Sequence, residues 1–498
     1  MDRRSFLKLA GSASLASTSL ASSGGRAAEF ILDSRTVPRG NTILLRGGYI
    51  VTMDPSVPDL RGDVLIADGK IGAIGKNLDA GSAEVVDASR LIVTPGFIET
   101  HRHTWQSCLR QLGANWSAAQ YFANNFFKFG VIMRPEDVYA ANLIGRLAAL
   151  DGGITTLVDW SHIMNTPQHA DAAVQGLRDA GARSVFAMGW PQAPDPAKWI
   201  VKSGADLPDD IRRVRKELLP GDTGLVTLAM AGRGPDFAQI QQVARDLSTA
   251  RDLGIRTTIH IGFANPGGIG AMKQAGLLGP DITHVHVKDS TDEELQFIKD
   301  SQGTVSISPL DEMLRVRWRR GLPPVIRTLE RGLVTSLSCD SESTSSGDMF
   351  SIMRNTLAVG RFQASNPADD RPEPPNWNAA SAISTRNVFE MATIAGAKTV
   401  GLEKITGSLA IGKSADILLL QADNLAYYPL QNPVDAIVGA ADSGSIEAVF
   451  VAGRPVKFGG KLLDDTLLTR ARQLASASRD YMFQKAGFKL NEAVTSQR

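Results

Sequence analysis

The chain has 498 residues, 43% of them hydrophobic, which is enough for one large core or for a barrel with a satellite domain. Its 53 Lys and Arg balance 52 Asp and Glu, and neither a basic stripe nor an acidic tail gives reason to invoke a nucleic-acid partner. The two cysteines, Cys108 and Cys339, are too few for a disulfide scaffold and read as buried thiols, although Cys339 adjoins a candidate ligand and one pairing is open on count.

In chain order, residues 1–28 read as an address and not as part of the fold. A short basic start, Met1 to Lys8, leads into the weakly apolar stretch LAGSASLASTSLASSG, too short and polar for a membrane span. The run RRSFLK resembles the twin-arginine signal of bacteria, which implies the twin-arginine export machinery as a partner and the periplasm as destination. No later segment has 18 consecutive apolar residues, so no membrane association is expected after cleavage.

Residues 29–93 carry short apolar runs broken by Gly, Asp and Asn, the pattern of an antiparallel sheet. From residue 94 strand-like runs alternate with helical ones, as in βα units around a parallel sheet. Eight strand candidates follow: IVTPGFIETH ending near 101, then 154–160, 183–190, 224–231, 255–262, 281–287, 303–309 and 333–340. Helices are expected over 135–150, 210–219 and 292–300, and the long interval 104–153 is expected to hold extra helices covering the barrel mouth. The fold class is therefore α/β: a (β/α)₈ barrel over 94–407. A Pro-rich surface excursion is expected at 361–380. Residues 408–465 return to strands and are expected to join 29–93 in a small β-sandwich, and 466–498 form a terminal helix and tail.

Six of the seven histidines fall at or just past predicted strand ends, where barrel enzymes gather their catalytic groups; His169 is expected at the surface. His101 and His103 lie two apart on an extended segment, so both imidazoles face one side and can share a metal. His260 ends the fifth strand, His284 and His286 the sixth, and Asp340 the eighth.

The stretch LIVTPGFIETHRH resembles the motif of the amidohydrolase superfamily, and GLEKITGSLAIGKSADILLL resembles that superfamily's return to its small sandwich. LLGPDITHVHVKDSTDEEL and SLSCDSESTSSGDMFSIMR resemble the branch that holds cytosine and methylthioadenosine or S-adenosylhomocysteine deaminases and the triazine hydrolases. The resemblance implies His101, His103, His260, His286 and Asp340 as metal ligands, with Asp340 also the proton-handling base. His284 could face the same way as His286. The fourth-strand region LVTLAMAGRGP lacks the Lys that binuclear members carry, which implies one divalent metal per chain, zinc by default and iron as the alternative.

One departure concerns a proton donor. The branch places a Glu three residues after the fifth-strand His, and this chain has Phe263 there. Glu312 and Glu342 are the substitute acids near the rim, and His162 is a candidate for polarising a developing oxyanion. Trp105, Gln106, Trp160, Phe263 and His284 are the further candidates for substrate contact. The function expected is hydrolysis of a non-peptide C–N bond in a small molecule, by deamination or by cleavage of an amide, urea or carbamate-like group. The rivals are a heteroaromatic dehalogenase or S-dealkylating hydrolase, and a periplasmic binding protein on an inactive scaffold. Homo-oligomers are common among relatives, and nothing in the sequence fixes a stoichiometry.

Overall fold

The computed structural model describes residues 31–192, 210–262, 267–314, 322–365 and 382–489. The export signal expected at 1–28, Phe263 and most of the Pro-rich excursion lie outside the described residues.

Two sheets organise the chain. The first draws β1 (Thr42–Ile50), β2 (Leu60–Ala67), β3 (Lys70–Gly75), β4 (Glu84–Asp87) and β5 (Leu91–Pro95) from the start. The second is eight parallel strands: β6 (Phe97–Arg102), β7 (Ile154–Ser161), β8 (Arg183–Met188), β9 (Val226–Gly232), β10 (Thr257–Ile261), β11 (Ile282–His286), β12 (Thr304–Ile307) and β13 (Thr335–Leu337). β14 (Ile417–Gln421), β15 (Ile446–Val451), β16 (Arg454–Phe458) and β17 (Lys461–Leu462) then return to the first sheet, where β14 pairs antiparallel with β5. This is the (β/α)₈ barrel with a small sheet built from both chain ends.

Barrel strands such as β7 are buried along their whole length, because side chains on one face fill the barrel and those on the other meet helices. The helix Pro135–Asp151 starts with Pro in its first turn and Glu136 and Asp137 beside it, where the helix dipole favours acids. The terminal helix spans Asp465–Ala486.

The run expected as one strand, IVTPGFIETH, is two. β5 belongs to the outer sheet and β6 to the barrel, and the chain changes sheets at Gly96. A Cβ on Gly96 would lie 2.1 Å from Thr155 Oγ1, so only glycine passes that close to the neighbouring strand. The barrel closes between its first and last strands at their C-terminal ends: His103 N donates to Asp340 O at 2.8 Å and Asp340 N to His101 O at 3.2 Å.

Candidate metal centre

Register and backbone handedness aim each side chain at the rim. In the parallel pair β10–β11, His260 sits beside Val285, Ile259 beside His284 and Ile261 beside His286. An unbroken strand would therefore send His284 and His286 to the same outward side, away from His260. His286 escapes because its backbone is left-handed, with φ +75°. His284 stays outward: its Nδ1 donates to Thr304 O at 3.2 Å and its ring lies against Gly303. The expectation that His284 could join His286 at the site is thus corrected. Asp340 likewise has φ +62°, which swings its carboxylate over the rim at the end of β13.

Five side chains converge. His101 Nε2 lies 3.2 Å from His260 Nε2 and 3.2 Å from Asp340 Oδ1, and His103 Nε2 lies 3.1 Å from the same oxygen. Donors around a tetrahedral zinc with bonds of about 2.0–2.1 Å stand about 3.3 Å apart, so these edges are those of a metal polyhedron. His286 Nε2 is further out, 4.0 Å from Asp340 Oδ2. By mutual distance alone, His101, His260, His286 and Asp340 each offer a ligand atom within 4.8 Å of the others. That grouping omits His103, whose short edge to Asp340 nevertheless makes it a ligand candidate of equal standing.

Protonation fits the same purpose. Burial pulls His101 down to about 3, against the opposing pull of Asp340, and holds His260 well below its ordinary value. Both rings are neutral near pH 7 and present lone pairs, as ligands must. His103 Nδ1 donates to Trp160 O at 2.9 Å, which leaves Nε2 as the acceptor facing the centre. His286 Nδ1 donates to Glu312 Oε1 at 2.9 Å, and that oxygen also accepts from Ser308 N at 3.0 Å. Burial works against a charged His286 ring, but the bond to Glu312 and the charge of Asp340 raise it above the usual imidazole value. Among the described residues, this donor set fits one divalent cation.

The centre opens into a cavity lined by His103, His162, His260, His286 and Asp340 and by six aromatic side chains. Trp160 and Trp190 come from β7 and the loop after β8, and Tyr121, Phe122 and Phe126 from the helical excursion after β6. Phe237 follows β9 and completes the wall. Burial, and then the neighbouring His103, hold the His162 ring well below its ordinary pKa, so it faces the cavity neutral.

Other expected site residues are placed elsewhere. Trp105 is fully buried behind the wall, edge-on to His162 and Phe126. Gln106 is also buried there and accepts from Ser343 Oγ at 3.1 Å and Asn125 Nδ2 at 3.3 Å, while its Nε2 donates to Tyr121 Oη at 3.0 Å. It braces a wall residue and does not line the cavity. Glu342 is no spare acid: it is clamped by Arg102 at 3.2 Å, Arg110 at 3.0 Å and Ser107 Oγ at 2.6 Å. Burial raises its pKa, but the two guanidiniums outweigh that and hold it below the usual Glu value. Glu312 acts through His286 and is absent from the cavity lining. His169 is buried, with Nε2 donating to Met133 O at 3.0 Å, because it closes the start of the helix Pro167–Asp179.

Three or four imidazoles and one carboxylate at the C-terminal mouth of a (β/α)₈ barrel define a metal-dependent hydrolase. The model of the amidohydrolase family matches residues 92–456, and the chain belongs to that family. It is an enzyme acting on carbon–nitrogen bonds other than peptide bonds. The 5'-deoxyadenosine deaminase of Methanosarcina acetivorans is 25% identical over 427 residues, covering 83% of this chain and 92% of that protein. The 5-methylthioadenosine/S-adenosylhomocysteine deaminase of Pyrococcus furiosus is 23% identical, covering 84% and 96%. Among solved structures, a zinc-bound adenosine deaminase from Xanthomonas campestris superposes with TM-score 0.73 at 21% identity, over 88% of this chain and 98% of that one. A zinc complex of atrazine chlorohydrolase from Arthrobacter aurescens superposes with TM-score 0.70 at 20% identity, over 87% and 100%.

Proposed function

We propose that this enzyme is a zinc hydrolase that removes an exocyclic amino group from a planar nitrogen heterocycle. The observation that carries the reading is the aromatic wall beside the ligand cluster, to which Trp160, Trp190 and Phe126 contribute. The deaminases above are named for purine nucleosides and the chlorohydrolase for a triazine, both nitrogen heterocycles with a displaceable substituent. Zinc is supported by its presence in two of these relatives and by the donor spacing, which suits imidazole and carboxylate.

His101, His103, His260, His286 and Asp340 would hold the cation. When bound, it lowers the pKa of a water so that hydroxide is available near neutrality. Asp340 accepts the water's proton and orients it toward the ring carbon, then returns the proton to the departing nitrogen. Glu312 fixes the tautomer of His286, so that Nε2 is presented to the cavity. The aromatic walls exclude bulk water and hold the ring in the plane that exposes its carbon to attack.

One observation favours a second reading. Asp340 is the sole carboxylate among the described residues lining the cavity. An amine leaving group needs a proton at departure; a halide or thioalkyl group on a triazine-like ring needs none. The metal-loaded enzyme should be offered aminated purines and triazines beside their chlorinated and S-methylated analogues, with ammonia, chloride and thiol each measured. Ammonia release dependent on Asp340 supports deamination. Chloride or thiol without ammonia replaces it with the second reading.

We further propose that the mature enzyme works in the periplasm after twin-arginine export, a reading supported by RRSFLK at residues 3–8. Cell fractionation showing activity confined to the cytoplasm would refute it.

A further inference from the structure

The opposite end of the barrel holds a second cavity, of about 190 Å³, with no part in the metal centre. Barrel interiors are ordinarily filled by layers of bulky branched side chains. Here Val158 and Val185 share the lower interior with Thr100, Thr227, Ala229, Thr258 and Thr283, and a space between them is open. Arg256 lies at its mouth, just ahead of β10. The alternation that turns His260 inward turns Thr258 and Arg256 inward too. Four residues of strand separate Arg256 from His260, roughly 13 Å along the barrel wall.

Arg256 is held without a counter-ion. Its Nε and Nη2 are buried, and neither has a hydrogen-bond partner among the described residues. These two nitrogens form one edge of the guanidinium, the edge that grips a carboxylate side-on. Elsewhere in this molecule the same edge is used that way. Arg183 holds Asp416 through Nε at 2.9 Å and Nη2 at 3.5 Å, Arg233 holds Asp246 at 3.2 and 3.3 Å, and Arg251 holds Asp281 at 2.8 and 3.3 Å.

The acids whose charge reaches Arg256 do not fill its fork. Asp281 is taken by Arg251, and Asp222 in the cavity wall is taken by Arg215 at 2.8 Å. Glu403 makes no ion pair with Arg256 among the described residues, and its Oε2 is itself buried without a partner. Burial pulls the Arg256 guanidinium below its ordinary pKa, with Asp281 and Glu403 opposing. Thr258 Oγ1 is also buried and unpartnered, a second donor on the same cavity. Leaving a buried guanidinium bare costs several kcal/mol, which an anion in the cavity would offset.

We infer that the closed end of the barrel is a binding site for a small carboxylate, gripped side-on by Arg256 and met by the Thr258 hydroxyl. The site is set apart from the metal centre, since the two cavities share no lining residue.

The test is calorimetric titration of acetate into the full-length, metal-loaded enzyme at constant ionic strength, with kcat/KM followed in parallel. Wild type should bind acetate saturably with turnover unchanged. Arg256→Gln should weaken that binding about tenfold or more, since a charge-assisted pair is lost. Arg256→Lys, which keeps the charge and guards against a misfolded Gln variant, should weaken it too, because the fork is gone. Thr258→Val should weaken it severalfold, and Glu403→Gln should tighten it by removing the competing acid. Acetate bound at the metal would inhibit turnover and persist in all four variants. Equal affinity in wild type and in both Arg256 variants overturns the site. So does the absence of saturable binding in wild type, which would leave Arg256 to solvent and Glu403.

Discussion

The two ends of this barrel are made from the same eight strands and differ in nearly every physical respect. The C-terminal mouth is crowded: five candidate ligand side chains, with three edges of 3.1–3.2 Å among His101, His103, His260 and Asp340, are walled by aromatic rings. The N-terminal end is roomier, about 190 Å³, and lined by threonines and aliphatic side chains with one arginine. At the mouth two ligand rings are oriented by fixed partners, His103 by Trp160 O and His286 by Glu312. At the far end the unpartnered buried atoms include a charged group, the Nε and Nη2 of Arg256. Precision is concentrated where chemistry requires fixed geometry.

Variants can break or sharpen that contrast. The largest effect is expected for Asp340→Asn, which should lower kcat by roughly 10³-fold while metal content stays near wild type, since the base is lost and an oxygen ligand kept. Elemental analysis beside steady-state kinetics checks this; a Asn variant within tenfold of wild type would remove Asp340 from the proton path. Glu312→Gln comes next, with a loss of about 10–100-fold in metal affinity or activity, read by competition with a chelator. No change in either would make Glu312 a packing residue.

Asp159 offers a pH test at the same rim. It is buried, accepts from Thr104 N at 3.3 Å and Asn142 Nδ2 at 2.9 Å, and burial raises its pKa from 3.8 to about 7. The folded state therefore holds this proton more tightly than the unfolded chain. Stability from the protonated form is lost as pH rises from about 4 to about 7, and above that the buried charge is a standing cost. Asp159→Asn should stabilise the protein above pH 7, on the order of 2–4 kcal/mol, and leave it unchanged below pH 4. Denaturant titrations at both pH values decide; equal shifts at both would mean that ionisation is not involved. The smallest effect is expected at the far end, where Ala229→Val fills vacant space. Stability should move by less than about 1 kcal/mol and kcat/KM by less than about twofold. A large loss of turnover would couple the two ends.

How much of this was legible in the sequence differs by feature. The alternation of short apolar runs with helices made the barrel readable, and the strands fall within a few residues of their expected ranges. The spacing of His101 and His103 was readable because strand period alone aims them together. Gly96 as the crossing between sheets was not, since its reason is Thr155, a neighbour across strands. Nor was the separation of His284 from His286, because a left-handed turn at a histidine leaves no mark in residue type. The Gln106, Glu312 and Glu342 roles depend on partners up to 240 positions away (Arg102 to Glu342), which no local pattern reveals.

The closing contact of the barrel carries one more consequence. The first and last strands meet through backbone bonds of His101, His103 and Asp340, the same residues that supply ligand atoms. A cation bound there works as a clasp on a ring whose two ends lie 239 positions apart. Metal uptake and ring closure are then one thermodynamic event, and late in folding, because so distant a contact forms slowly. Stripping the metal should show itself first in faster amide exchange along β6 and β13, with the middle strands still protected.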